Sequence, residues 1–254
     1  MQIVGIIPAR LQSTRLPRKL LLNATGKPLI QYVWETACAC PEISEVLVAT
    51  DSNEIAEVVH HFGGQAVITG EHQSGTDRIA EVVRNRCPSA DIIVNLQGDE
   101  PELQPSVITS LVRQIIDNDS PMATVAAPLT DARKVLDPSC VKVVTDVNGR
   151  AMYFSRSPIP FSRDVPIETF FSDDEPSPWL QHVGLYAYRR EFLLQLTMMP
   201  PSPLEQMEKL EQLRALQCGA AISVAVVDHA AVGIDTPTDY AEFLQRHSAL
   251  RVAA

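Results

Sequence analysis

Four cations, Arg10, Arg15, Arg18 and Lys19, fall within ten residues of a chain whose formal net charge is −10 at pH 7. They follow a short apolar run, residues 2–7, that reads as a first strand. In an open α/β sheet ligands bind beyond the carboxyl ends of the strands, so this loop would be delivered to the binding rim. Guanidinium forks grip phosphate oxygens in pairs, and a lysine adds a point charge. The loop therefore suits a polyphosphate; the plainer alternative is a solvated basic loop. The chain has neither a Gly-x-Gly-x-x-Gly fingerprint nor a Gly-x-x-x-x-Gly-Lys-Ser/Thr loop. A first βα turn without glycine disfavours a nicotinamide-dependent dehydrogenase.

Two carboxylates could hold a metal. Residues 91–101 read as a central strand that ends in Gln97-Gly98-Asp99-Glu100-Pro101. Gly98 permits close backbone approach, Pro101 stops the strand, and Asp99 lies just beyond its end. Magnesium takes hard oxygen ligands, typically one or two carboxylates completed by substrate phosphates and water. Asp99 suits that role and Glu100 suits it less, because its neighbour already occupies the rim; a polar turn is the alternative. The second acid is Asp235. Thr236 is a good helix N-cap, Pro237 fits the first turn, and Asp239 approximates a capping box. With Thr236 as the cap, Asp235 has no obligatory structural partner, although a charge favoured by the helix dipole explains it too. Spacing alone does not bring Asp99 and Asp235 together.

The elements that must position these groups alternate. Strands are expected at residues 2–7, 45–49, 66–69, 91–96 and 122–126, with helices at 28–38, 53–62, 76–86 and 105–118 between them. Such alternation reads as right-handed βαβ units. Beyond residue 127 the rhythm changes: Asn148-Gly149 between two strand-like runs signals a hairpin. Residues 157–179 are rich in proline, serine and acid and read as an irregular excursion. A strand is expected at 182–188, one long helix at 204–217 with Leu204, Met207, Leu210, Leu213 and Leu216 as its apolar stripe, a strand at 222–227, and a last helix opened by Thr236. The expected fold class is α/β: a mostly parallel, Rossmann-like nucleotide-binding sheet formed by residues 1–127 and 201–254, with a smaller β-rich insertion lobe at 128–200.

Composition narrows the classes further. With 254 residues, 45% hydrophobic and 20% charged, the chain can bury a sizeable core and is not of disordered type. No apolar stretch approaches bilayer length, and residues 2–7 lack a basic leader, so a soluble, cytoplasmic protein is expected. Five scattered cysteines suit reduced thiols better than a disulfide framework or zinc site. The acidic balance argues against non-specific nucleic-acid binding.

Eight motifs then occur in order: Pro8-Ala9-Arg10 with Ser13-Thr14-Arg15-Leu16-Pro17 and Lys19; Ala49-Thr50-Asp51; Ser74-Gly75-Thr76-Asp77-Arg78; Gln97-Gly98-Asp99-Glu100-Pro101; Phe154-Ser155-Arg156; His182, Gly184 and Tyr186; Leu210-Glu211-Gln212-Leu213-Arg214; and Asp235-Thr236-Pro237. Together they resemble the 3-deoxy-manno-octulosonate cytidylyltransferases, also called CMP-Kdo synthetases, across essentially the whole chain. The resemblance implies magnesium-dependent transfer of CMP from CTP to the acidic sugar Kdo, release of pyrophosphate, a role in lipopolysaccharide biosynthesis, and a homodimer built through the insertion lobe. It gives Arg10, Arg15 and Lys19 to the triphosphate. Ser74 and the Gly75-Thr76 backbone would read the cytosine, with Arg78 close by. Asp99 and Asp235 would hold magnesium; Arg156, His182, Tyr186, Glu211 and Gln212 would receive the sugar acid. Structural roles compete for several of these: Ser74 and Thr76 as helix caps, His182 as a core histidine, Glu211 and Gln212 as solvated helix residues.

One position departs from the family pattern. Arg18 stands where these enzymes commonly carry glycine, and if the loop needs positive φ there, arginine costs strain or changes its path. Another acidic sugar, sialate or 8-amino-Kdo, remains an alternative acceptor, and a catalytically silent nucleotide-binding protein an alternative of another class.

Overall fold

The computed structural model describes residues 1–171 and 177–253. In chain order the elements are β1 (Ile3–Ala9), α1 (Leu29–Cys38), β2 (Glu45–Thr50), α2 (Asn53–His61), β3 (Gln65–Ile68), α3 (Gly75–Arg86), β4 (Ile92–Asn95), α4 (Pro105–Asp117), β5 (Met122–Pro128), α5 (Ala132–Leu136), β6 (Lys142–Thr145), β7 (Ala151–Ser155), β8 (Leu180–Arg189), α6 (Arg190–Leu196), α7 (Pro203–Glu208), α8 (Gln212–Gln217), β9 (Ile222–Val226) and α9 (Pro237–Ala253). The fold is α/β, and the chain divides into two compact units, Met1–Thr109 with Ala231–Ala254, and Ser110–Ala230.

In the first unit β2 and β4 flank β1, and β3 lies outside β2, all parallel. β4 is buried along its whole length and β1 nearly so. Such unbroken apolar runs mark strands covered on both faces rather than half-exposed ones. Two of the helices in this unit start at serine caps. Ser52 accepts the Ile55 N–H at 3.4 Å and Ser74 the Asp77 N–H at 3.1 Å. At the start of α9, Thr236 Oγ1 accepts from Asp239 N at 3.2 Å while the Asp239 carboxylate accepts from Thr236 N at 2.8 Å. That reciprocal pair is the expected capping box.

A small core fixes the ends of this unit. Leu16, Leu29, Ile234 and Phe243 are buried together. Leu16 belongs to the cationic loop and Ile234 precedes Asp235, so burying two aliphatic side chains, about 1.5–3 kcal/mol each, draws both segments to one place. The Ile234 N–H donates to the Asp99 carbonyl at 2.9 Å, and Arg246 of α9 grips Glu102 with two bonds of 2.9 and 2.7 Å.

In the second unit β5 runs antiparallel to β8 and parallel to β9. The β6–β7 hairpin joins the edge of β8 and turns at Asn148-Gly149, where Gly149 has φ 73°. The expected boundaries at 127/128 and 200/201 are not where the contacts divide. β5 and residues 201–230 fall in the second unit, because the ladder partners of β5 are β8 and β9. Within the excursion, Trp179 is buried with Leu129, Val135 and Cys140; residues 172–176 of that segment lie outside the described residues.

The long helix expected at 204–217 is instead two short ones. Lys209 adopts a left-handed conformation, φ 55°, and Met207 of the supposed stripe is 83% exposed. The break lets Arg214 fold back onto buried Glu205, with bonds of 2.7 and 2.5 Å. In a continuous helix those residues would stand about 13 Å apart along the axis.

All five cysteines are unbridged. Among the described residues no helix is long and apolar enough to cross a membrane.

Candidate active site

The cationic loop and both acids meet in the first unit. Lys19 Nζ lies 2.6 Å from Asp235 Oδ1 and makes a shorter ion pair with Asp99 Oδ2. Arg15 Nη2 reaches the other oxygen of Asp235 at 2.8 Å. Two carboxylates 136 positions apart in sequence thus share one ammonium. Burial pulls the Lys19 pKa down, but the charges and hydrogen bonds of Asp99 and Asp235 outweigh it, and the net shift is upward. Gly98 makes the approach possible: a Cβ there would stand 3.2 Å from Ile7 and 3.3 Å from Leu20.

Glu100 behaves differently from its neighbour. Its side chain is buried and Oε2 has no hydrogen-bond partner among the described residues. Burial first, and the charge of Asp99 second, raise its pKa to about 8. A carboxyl held neutral is a poor cation ligand, which leaves Asp99 and Asp235 as the converging acids. No group of three or more His, Cys, Asp or Glu side chains forms a metal cage among the described residues. Two carboxylates already gathered around a cation fit magnesium, which draws its remaining ligands from phosphate and water.

Arg18, at the position of the family's glycine, has φ 56° and ψ 28°. Arginine itself thus adopts the left-handed conformation here, and the guanidinium is fastened to Glu54 of α2.

Beside this loop opens a cavity of about 850 Å³, lined by Arg10 to Thr14, Asp51, Ser52, Thr69 to His72 and Arg78. Ser74 is the N-cap of α3, and Gly75 and Thr76 form its first turn. Gly75 packs against Pro8, where a Cβ would come within 3.2 Å of the ring. Arg78 is 4% exposed. Its guanidinium donates to Thr69 Oγ1 at 2.6 Å, to the Gly70 carbonyl at 3.3 Å and to Asp51 at 2.6 Å, so it ties α3 to two segments of the wall.

The residues expected to receive the sugar lie in the second unit. His182 is buried, with Nε2 2.9 Å from Thr124 Oγ1. Thr124 sits at a bulge in the β5–β8 pairing, a device that re-aims side chains. Burial lowers the His182 pKa to about 3, so the ring is neutral. Tyr186 donates to Gln212 Oε1 at 3.1 Å. Burial first, then Tyr188 and Glu211, push the Tyr186 hydroxyl well above its usual range. Gln212 is 3% exposed and its Nε2 has no partner among the described residues. Glu211 is exposed at the start of α8. The Arg156 guanidinium is engaged by main-chain carbonyls, Glu208 at 2.7 Å, Pro138 at 2.9 Å and Lys209 at 3.5 Å, a role sequence did not disclose.

Sequence reasoning also passed over His72, Glu81 and Lys142. His72 Nε2 lies 2.5 Å from the Glu81 carboxylate. Fully buried Lys142 donates to the carbonyls of Asp137, Cys140 and Arg156 at 3.0, 2.6 and 2.7 Å. No spacing rule marks either arrangement.

Comparison with known proteins decides the family. The cytidylyltransferase family model matches residues 4–222. The chain belongs to the cytidylyltransferase family. A 3-deoxy-manno-octulosonate cytidylyltransferase of Geobacter sulfurreducens is 45% identical over 252 residues, covering 97% of this chain and 99% of that one. Actinobacillus pleuropneumoniae has a 3-deoxy-manno-octulosonate cytidylyltransferase 2 that is 47% identical over 244 residues, with 94% and 96% covered. Among solved structures, a CMP:2-keto-3-deoxy-manno-octonic acid synthetase complexed with CTP superposes with a TM-score of 0.88 at 39% identity over all of both chains. A cytidylyltransferase from Leptospira borgpetersenii shares the fold alone, at 16% identity and a TM-score of 0.59.

Proposed function

We propose that this cytidylyltransferase transfers CMP from CTP to 3-deoxy-manno-octulosonate, releasing pyrophosphate. The observation that carries the reading is the convergence of Asp99 and Asp235 on the Lys19 ammonium, at the end of a cationic loop that also walls a nucleotide-sized cavity. The near full-length likeness to relatives of that name and to a structure holding CTP supports it.

In the transfer a sugar hydroxyl releases its proton to solvent as its oxygen attacks the α-phosphorus. The new O–P bond forms as the α–β bridging bond breaks, and its electron pair leaves on pyrophosphate. Such chemistry relies on positioning and charge neutralisation more than on a covalent nucleophile. Asp99 and Asp235 would hold magnesium. Bound there, the ion would polarise the α-phosphate and favour ionisation of the attacking hydroxyl. Lys19 and Arg15 would exchange their carboxylate contacts for phosphate oxygens and stabilise charge on the departing diphosphate; Arg10 would extend the grip. Ser74, Gly75 and Thr76 would meet the base, with Arg78 bracing the wall. In the second unit, Gln212 Nε2, which has no partner among the described residues, and the Tyr186 hydroxyl would supply groups suited to a polyhydroxylated acid; Arg156, His182 and Glu211 belong to the same proposal. A homodimer and a cytoplasmic location follow from the family reading.

The test is pyrophosphate release from CTP with a panel of sugar acids. Turnover with Kdo well above that with sialate or 8-amino-Kdo is expected. Preference for another member reassigns the acceptor, and CTP binding without release under any condition refutes the transferase.

A further inference from the structure

Arg78 of α3 lines the cavity, and Glu81 of the same helix holds the turn beside it. Glu81 accepts the Gly70 N–H at 3.2 Å and meets His72 Nε2 at 2.5 Å. Arg78, one turn earlier, holds Thr69 and Gly70 from the same helix. The turn carrying His72 is thus held by two side chains of α3, and His72 itself contributes to the lining. The hydrogen bond from His72 keeps the Glu81 carboxyl below its usual range, so this group stays an acceptor. An ionised carboxylate can only accept, which assigns the shared proton to Nε2; with one proton on the ring, Nδ1 then carries the lone pair.

Cytosine and uracil differ at the edge such a lone pair would meet. Position 4 of cytosine carries an amino donor, whereas uracil carries a carbonyl acceptor there. Arg78 brings only donors and is already engaged on three protein groups.

We infer that His72 selects cytosine over uracil in this cavity, accepting from the exocyclic amino group through the ring nitrogen that Glu81 does not take. Glu81 is then a positioning residue: it fixes the tautomer on which the discrimination depends. The inference rests on the reading of this cavity as the CTP site.

Equilibrium binding of CTP and of UTP to the full chain, measured by titration calorimetry, tests it. The unsubstituted protein should prefer CTP. His72→Phe should weaken CTP by about tenfold, the scale of one lost hydrogen bond with a partner left unpaired, while UTP binding stays unchanged. Glu81→Gln, which keeps the cavity shape but frees the tautomer, should shrink the CTP:UTP ratio in a protein of native circular dichroism. A packing role would weaken both nucleotides equally. Ratios within twofold of the unsubstituted value in both variants overturn the inference while leaving the cavity assignment intact. So does a collapse confined to Asp51→Asn or Glu71→Gln, the two carboxylates on the wall. Failure of the unsubstituted protein to bind CTP, or binding indifferent to Arg10→Ala, overturns the cavity assignment and the inference with it.

Discussion

Replacing Lys19 with methionine removes the one ammonium between Asp99 and Asp235 and leaves two carboxylates facing each other. The Lys19 side chain is 14% exposed, against 27% for Asp99 and 45% for Asp235. Breaking a fully buried pair costs about 3–5 kcal/mol, and breaking an exposed one at most about 1. A site of intermediate exposure should therefore lose about 2 kcal/mol. For a chain of this length that lowers Tm by about 4–8 °C. The same change makes the acid pair a better cation site. Magnesium at ten times its dissociation constant should return about 1.4 kcal/mol by mass action, or about 3–6 °C. Differential scanning calorimetry of Lys19→Met with and without magnesium, at pH 7.5 and without nucleotide, reads both numbers. The unsubstituted protein, whose ammonium competes for the acids, should respond less. A variant as stable as its parent, or one whose Tm ignores magnesium, refutes the reasoning.

Three further outcomes follow from the structure. Asp99→Asn and Asp235→Asn should each lower pyrophosphate release by at least about a hundredfold, about 2.7 kcal/mol of transition-state stabilisation, while CTP affinity changes by less than tenfold; near-normal turnover in Asp235→Asn would exclude a shared ion. His182 has its pKa lowered from 6.5 to about 3 by burial, so above pH 6.5 neither the folded nor the unfolded ring is charged and the group is silent. Below 6.5 the unfolded chain takes a proton that the folded one refuses, and the contribution of His182 should fall by about 1.4 kcal/mol per pH unit until the folded value is reached; Glu100, its carboxyl raised to about 8, shifts stability the opposite way in parent and variant alike, so urea titrations at pH 7.5 and 5.5 should show the loss as the parent falling relative to His182→Asn. Lys209→Gly should be neutral or stabilise by up to about 1 kcal/mol, because φ 55° suits glycine; marked destabilisation in chemical denaturation would mean that the break between α7 and α8 is not held at Lys209.

How much of this was legible in the sequence depends on the range of the forces involved. Local chemistry read well. Ser74 and the Thr236–Asp239 pair cap their helices because capping is settled within three residues, and Asn148-Gly149 turns its hairpin for the same reason. Buried β1 and β4 were visible as apolar runs. Positive φ at Arg18 was foreseeable only through the family pattern, since arginine itself does not ask for it. The break at Lys209 was not legible: the leucine spacing continues through it, no glycine or proline marks it, and a nine-residue fold-back between Glu205 and Arg214 stabilises it. Lys19 as a bridge between the acids and Arg78 as a brace depend on partners that only the fold brings to them, and Glu100 as a neutral carboxyl depends on a burial that no local pattern announces. The second unit's claim on β5 likewise came from ladder pairing that composition does not encode.

The most direct test of the central claim is anomalous diffraction from crystals grown with CTP and manganese in place of magnesium. A single anomalous peak within coordination distance of carboxylate oxygens from both Asp99 and Asp235 is the expected result. A manganese ion bound to one of them alone, with the other still paired to Lys19, would contradict it.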